Sequence, residues 1–223
     1  SDVYKRQELP TGEKDPFSLR RNAIGVIRMI IEKKMPIDIS DLIDSFLGKN
    51  ETAKVNLINF FYERLFNFLK DLGYSNELVD AVVSSKPKQI HDVLERLQAI
   101  NEFIKLEESE TLSSANKRVS NILKKSDKKI NDVIDLKLLT DSEEIKLHKT
   151  LMSSEEEIKK CLQRNDFVSA LKNLVILNKP INNFFEKVMV NTDDIKTKNN
   201  RYSLLYKLRK NLNCVADISK LAS

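Results

Sequence analysis

The chain has little glycine and proline, no tryptophan and only two cysteines. Glycine and proline together account for nine of the 223 residues, whereas their average usage is roughly 12%. This scarcity excludes an all-β chain rich in tight turns and also excludes a disordered linker. Cys161 and Cys214 match neither a disulfide framework nor a zinc-ligand spacing, so we expect a reduced, cytoplasmic setting.

Long hydrophobic runs are also missing. Residues 23–27 form an apolar run of five that ends at Arg28, whereas a membrane span needs about 20 apolar residues. The amino terminus lacks the apolar stretch of a signal peptide. A composition of 41% hydrophobic and 32% charged residues favours amphipathic helices around a modest core, with no membrane partner.

Catalytic constellations are absent from the sequence. The glycines lie far apart, so no phosphate-binding loop is present. The pair His91-Asp92 lacks the further histidines of a metal phosphohydrolase and is interpreted as a helix-surface pair. Cys161 and Cys214 are interpreted as small buried helix residues rather than nucleophiles. Acidic pairs such as Glu143-Glu144 fit helix capping. The sequence therefore predicts no catalytic residue, metal ligand or bound cofactor.

Apolar residues recur at helical spacing along the chain, and no strand pattern extends beyond a few residues. The sequence predicts an all-α fold in two helical modules, residues 8–110 and 111–223, with the boundary at the polar, acidic residues 107–114. Capping and breaking residues predict the following helices: 15–35, 40–47, 52–72, 75–86, 90–106, one from about 114, one each from 141 and 153, 166–177, one from 180, and 194–221.

The first seven residues, SDVYKRQ, resemble the translation of a transposon-derived sequencing adapter. We expect residues 1–7 to be a non-native scar that packs against nothing. An adapter at this position also implies that the chain is a piece of a longer protein.

The net charge of +5 is divided unevenly between the two halves. Residues 1–111 hold 16 basic and 19 acidic residues, a net charge of −3, and residues 112–223 hold 22 and 14, a net charge of +8. This segregation indicates that the second module faces a polyanion. A lysine-rich solvated surface is the alternative.

Basic residues cluster in two predicted helices of the second module. Lys117-Arg118 and Lys124-Lys125 lie two turns apart on one side of a helix, with Lys128-Lys129 just beyond. The last helix groups Arg201, Lys207, Arg209 and Lys210 around Tyr202 and Tyr206. Cations beside aromatic faces can hold phosphates and stack unpaired bases. Alternatively, the tyrosines belong to the core and the lysines are only solvated.

Several motifs resemble known families. Residues 115–123, ANKRVSNIL, resemble the first helix of the anticodon-binding domain named for its DALR motif. Together with residues 170–171, 180–191 (PINNFFEKVMVN) and 200–219, they resemble the C-terminal end of the bacterial glycyl-tRNA synthetase β-subunit family. Residues 14–28, KDPFSLRRNAIGVIR, resemble the point where the middle of the same subunit passes into a helical tail. The resemblance covers roughly residues 9–223.

This resemblance implies a fold and a set of partners. Residues 8–110 would be the helical tail of the subunit body, and residues 111–223 a DALR-like helical bundle that recognises the anticodon. The partners would be tRNA-Gly and an α subunit in an α2β2 tetramer, with no role for DNA. The α subunit, rather than this chain, would use ATP and Mg²⁺ to activate glycine.

The candidate tRNA-binding residues follow from the matching motifs. Asn121 and Arg209 are the candidates for reading bases, because an amide and a guanidinium can make paired hydrogen bonds to base edges. The full set is Lys117, Arg118, Asn121, Lys124, Lys125, Arg201, Lys207, Arg209 and Lys210.

Two alternatives remain open at this point. A non-catalytic helical protein-interaction module would show little salt dependence in any binding of tRNA. The related domain of arginyl-tRNA synthetase would need a Rossmann catalytic domain upstream, and residues 15–17 leading into helices do not look like its continuation.

We predict that the purified 223-residue chain alone does not attach glycine to tRNA-Gly, because no motif in it binds ATP or glycine. An aminoacylation assay with ATP, Mg²⁺ and labelled glycine measures this. Glycyl transfer above the no-enzyme background, in the absence of any α subunit, would contradict the prediction.

Overall fold

A computed structural model of the chain describes residue 15 and residues 18–48, 50–126, 130 and 132–222. These residues form α-helices and short 3-10 turns, and they contain no β-strand beyond one isolated antiparallel bridge between Asp38 and Gln89. The prediction of an all-α fold is confirmed. Residues 1–7 and Lys128-Lys129 lie outside the described residues. Within the described part, no helix combines the length and the apolar character needed to cross a membrane.

The chain divides into two compact units. Unit 1 comprises residues 1–75 and 86–94, and unit 2 comprises residues 76–85 and 95–223. The helices are α1 (Leu19–Glu32), α2 (Ile39–Leu47), α3 (Glu51–Asp71), α4 (Asn76–Ser84), α5 (Val93–Phe103), α6 (Ser109–Lys124), α7 (Ser142–Gln163), α8 (Phe167–Lys172), α9 (Asn178–Lys187) and α10 (Ile195–Leu212). Three 3-10 turns cover Leu136–Leu138, Val175–Leu177 and Ile218–Leu221.

Unit 1 packs α1 and α2 against the long helix α3. Helix α1 begins at Leu19, four residues after the predicted start, and the Asp15 carboxylate accepts hydrogen bonds from the backbone N–H groups of Leu19 and Arg20 at 2.7 and 3.1 Å. Gly48 ends α2 with a φ of 56°, a left-handed conformation that glycine adopts without steric cost. The core consists mainly of isoleucine, leucine and phenylalanine from one face of each helix.

Unit 2 begins before the module boundary that the sequence predicts at residue 111, because the end of the chain returns to α4. The backbone N–H of Asp217 donates to the Ala81 carbonyl at 2.8 Å. On α5, Arg96 Nη1 donates to the Val215 carbonyl at 2.8 Å. These long-range hydrogen bonds join segments more than 100 residues apart, which no local pattern can signal.

Three further helix boundaries differ from the predictions. The acidic segment before residue 114 is largely the first part of α6, which buries Leu112 and Ser113. Helix α7 continues through residues 153–157, where a second helix start was expected, because Ser154 is buried and its hydroxyl donates to the Asn173 carbonyl at 3.3 Å. Helix α10 ends at Leu212, and a separate 3-10 turn capped by Asp217 follows.

A buried ion-pair network around Arg201 ties three segments of unit 2 together. Its Nε pairs with the Glu144 carboxylate, and its Nη2 lies 2.7 Å from Asp141 Oδ2 at the start of α7. Its Nη1 donates to the Met189 carbonyl, just after α9, at 2.7 Å. Glu144 is fully buried and also accepts the backbone N–H groups of Thr140 and Asp141 at 3.1 Å. Arg201 therefore fixes the geometry of α7, α10 and the segment after α9.

We predict that Arg201→Met lowers the free energy of unfolding by about 3–5 kcal/mol, because the substitution leaves the Glu144 carboxylate buried without its cation. Equilibrium urea unfolding followed by circular dichroism measures the change. Lys210→Met is the matched control, since its partner Asp132 is partly exposed and the pair should add little stability. Equal effects of the two substitutions would contradict the prediction.

Candidate nucleic-acid interface

Helix α6 presents a continuous basic face to solvent. Lys117, Arg118, Asn121, Lys124 and Lys125 are all exposed, and at 3.6 residues per turn they fall within an arc of about 120°. No acidic residue occurs between positions 111 and 126. We call these five residues the α6 basic face. Its positive field is not offset by any carboxylate of the same stretch of helix.

The α6 basic face has one arginine that is held in place by an aromatic ring. The guanidinium carbon of Arg118 lies 4.1 Å from the centre of the Phe185 ring on α9. Lys117 Nζ donates to the Ala222 carbonyl at 3.3 Å. Among the described residues, no carboxylate pairs with Lys124 or Lys125, so their charges face solvent.

Helices α6 and α10 pack antiparallel. Asn116 Nδ2 of α6 donates to Asn213 Oδ1, just after α10, at 2.7 Å. One turn later in α6, the Ser120 hydroxyl accepts a hydrogen bond from Arg209 Nε of α10 at 3.0 Å. Arg209 is half-buried by this contact and borders the α6 basic face. The two predicted basic helices are therefore neighbours, as expected, and Arg209 is the member of α10 nearest to the α6 cations.

Two lysines in the last two turns of α10 are paired with carboxylates. Lys207 Nζ lies 3.0 Å from Glu155 Oε2, and Lys210 Nζ lies 2.6 Å from Asp132 Oδ2. The hydrogen bond from Lys210 lowers the pKa of Asp132, and the same bond raises the pKa of Lys210. Burial raises the pKa of Glu155, but hydrogen bonds from Lys159 and Lys207 lower it more, leaving it below its usual range. Lys207 and Lys210 therefore offer less unpaired charge than the α6 lysines.

Two residues of the predicted basic cluster on α10 lie in the interior instead. Arg201 is the centre of the buried network and is only 6% exposed, so we remove it from the candidate interface. Tyr202 is also buried, and its hydroxyl donates to Asn191 Oδ1 at 3.1 Å. The sequence cannot separate such residues from surface cations, because a buried arginine and an exposed one occupy the same helical spacing.

The side chains considered as catalytic candidates do not form a reactive site. His91 and Asp92 lie in the turn before α5 rather than on a helix surface. Burial, and then the charge of Lys207, lowers the pKa of His148. Burial of its sulfur raises the pKa of Cys214 to about 12, so this thiol is not a nucleophile at neutral pH. In the described residues, no three His, Cys, Asp or Glu side chains group to hold a metal ion.

Two family models match the chain. The model for the glycyl-tRNA synthetase beta subunit matches residues 2–84, and the model for the DALR anticodon binding domain matches residues 112–218. The chain belongs to the glycyl-tRNA synthetase β-subunit family. The α6 basic face lies entirely within the DALR match, together with most of α10, which packs against it.

Curated relatives agree with this assignment. The chain is 44% identical over 225 aligned positions to the glycine--tRNA ligase beta subunit of Janthinobacterium sp. (strain Marseille). This alignment covers 99% of the chain and 32% of the relative. It is 43% identical over 222 positions to the subunit of the same name from Ralstonia nicotianae, covering 96% of the chain and 31% of that relative. The chain thus spans about a third of the length of the curated relatives it matches.

We predict that Lys210→Ala raises the pKa of the Asp132 carboxyl toward the ordinary value of about 3.9, because the substitution removes a hydrogen bond and a charge that favour the carboxylate. The carboxyl ¹³C shift of Asp132, followed by NMR through an acid titration, measures it. Lys124→Ala is the control and should leave this pKa unchanged. An unchanged Asp132 pKa in Lys210→Ala would show that Lys210 is unpaired in solution.

Proposed function

We propose that unit 2 binds the anticodon end of tRNA-Gly through the α6 basic face, as part of the β subunit of glycine–tRNA ligase. The observation that carries the proposal is the clustering of four exposed cations and one exposed amide on a single face of α6. This face falls inside the span that matches the anticodon-binding domain model. A chance lysine-rich surface would not need to concentrate its exposed cations at that position.

The chemistry of the face suits an RNA loop. Lys124 and Lys125 are compact ammonium charges that attract backbone phosphates without regard to sequence. Asn121 and Arg209 carry the planar groups that can hydrogen-bond to the edges of unpaired bases. Anticodon bases are unpaired, so their edges are open to such groups. In this arrangement the lysines provide affinity, and Asn121 and Arg209 provide discrimination.

The proposal also assigns the chain a place in the enzyme. The β subunit holds the tRNA, while an α subunit activates glycine with ATP and Mg²⁺ and transfers it to the terminal adenosine. The partners are then tRNA-Gly and the α subunit, in a cytoplasmic α2β2 tetramer. The names of the relatives support this assignment, and the scarcity of reactive groups in the described residues is consistent with it.

We predict that Lys124→Ala weakens binding of every tRNA by a similar factor and reduces the slope of log K against log salt by up to about one, because one phosphate contact and its released counterion are lost. Fluorescence anisotropy of labelled tRNA-Gly across a salt series measures both quantities. Lys172→Ala is the matched control, since Lys172 is an exposed lysine on α8, which packs against α7. It should change neither quantity.

Base-reading residues should behave differently in the same assay. Asn121→Ala should cost roughly 1–3 kcal/mol for tRNA-Gly and little for a tRNA with a swapped anticodon. Arg209→Ala should show the same preference, with an added general loss because Arg209 also bonds Ser120. Binding of tRNA that is weak and insensitive to salt would contradict the proposal and favour a protein-interaction module.

A further inference from the structure

We infer that Arg118 and Phe185 form a stacking site for a single unpaired nucleobase, with the segment after α9 as its second wall. The inference rests on the proposed RNA-binding function and goes further by locating one base-binding position. Phe185 lies within the motif at residues 180–191, but it is not among the candidate tRNA-binding residues that the sequence suggests.

The site is a groove between α6 and the end of α9. Its volume is about 540 Å³, within the range of about 300–1,000 Å³ that small-molecule sites occupy. Arg118 and Ile122 line it from α6, and Phe185 and residues 186–191 line it from the other side. Its walls therefore combine an aromatic ring, aliphatic side chains and the planar Arg118 guanidinium, and Glu186 and Lys187 add one charge of each sign. A ring, a guanidinium plane and aliphatic surface suit a flat heteroaromatic ligand.

The Phe185 ring occupies one side of the Arg118 guanidinium, at 4.1 Å from the ring centre. Arg118 nevertheless remains an exposed residue, so part of its planar group is open to solvent. A guanidinium already held against a ring loses less conformational freedom when a base stacks on it. An arginine plane and an aromatic ring are both groups on which proteins stack unpaired bases.

The helix geometry explains why Phe185 faces the groove. Successive helical residues differ by about 100° in direction, so Phe184 and Phe185 cannot both point into the core. Phe184 is fully buried, and Phe185 is only partly covered. Their rings meet edge to face with centres 5.4 Å apart, so the core ring supports the groove ring.

The opposite wall is anchored by α10. Arg201 donates to the Met189 carbonyl at 2.7 Å, and the Tyr202 hydroxyl donates to Asn191 Oδ1 at 3.1 Å. Although its carbonyl is held by Arg201, Met189 remains 74% exposed. Arg201 and Tyr202 are thus positioning residues for the groove: they hold the segment that a base would contact without touching the base themselves.

The charges around the groove fit a nucleotide in a strand. Lys125 follows Arg118 by two helical turns on the same side of α6, about 10 Å away. Lys117 is adjacent in sequence and exposed. A base stacked at Arg118 would therefore place the phosphates on either side of it near the exposed lysines Lys117 and Lys125. An acidic peptide could form ion pairs with the same cations, but its carboxylates would not stack on the Arg118 guanidinium and the Phe185 ring.

The test uses the 223-residue chain and an RNA hairpin with the anticodon stem and loop of tRNA-Gly, with 2-aminopurine substituted at each loop position in turn. Binding should change the fluorescence of the probe at one loop position, because stacking quenches it. In Arg118→Lys, which keeps the charge but loses the plane, the quenching should vanish and affinity should fall roughly tenfold or more. The salt slope should stay the same, since no phosphate contact is lost.

Lys172→Arg is the matched control, because it also exchanges one cation for another, at an exposed position on α8 outside the α6 basic face, and it should leave the quenching intact. Phe185→Leu, with its fold checked by circular dichroism, should reproduce the Arg118→Lys result. If the hairpin binds with the expected salt dependence but Arg118→Lys quenches like wild type, the stacking site is wrong and the tRNA-binding proposal stands. An equal loss for a duplex RNA without a loop would also overturn the stacking site. Failure of the wild-type chain to bind the hairpin would overturn both.

Discussion

The buried ion pair between Arg201 and Glu144 is the constraint on which the geometry of unit 2 depends. A charge moved from water into a protein interior is strongly unfavourable unless nearby groups satisfy it. Here the guanidinium meets two carboxylates and a backbone carbonyl, and Glu144 also accepts two backbone N–H groups at the start of α7. Because the partners come from the start of α7 and from the segment after α9, the charges can be satisfied only when these two segments and α10 are correctly placed.

This constraint reaches the candidate interface through α10. One side of α10 is fixed by Arg201 against α7, and the other side meets α6 through the bond between Arg209 and Ser120. The position of α10 between α6 and α7 is therefore set in part by the Arg201 network, which contains none of the proposed ligand-binding residues. The same helix carries Lys207 and Lys210, which are paired with Glu155 and Asp132.

Charge distribution separates the two roles that cations play in this unit. The arginines and lysines that meet carboxylates stabilise the fold or are partly neutralised, whereas those on α6 have no acidic neighbour between residues 111 and 126. Electrostatic attraction to a polyanion depends on the second group, because a paired charge contributes little field at a distance. The net charge of +8 in the second half therefore overstates what a ligand would meet at Lys207 and Lys210, whereas residues 111–126 carry four cations and no carboxylate.

The sequence by itself determined the all-α fold, the capping aspartates and the basic face of α6, because each of these follows from spacing and composition within one helix. It did not determine that Arg201 is buried, that Phe185 faces a groove, or that the chain end returns to α4. Those features depend on which helices meet, and contacts such as Asp217 to Ala81 join residues that are distant in the chain. Only the tertiary structure brings such groups together, since burial and pairing are properties of the packed helices rather than of any local pattern.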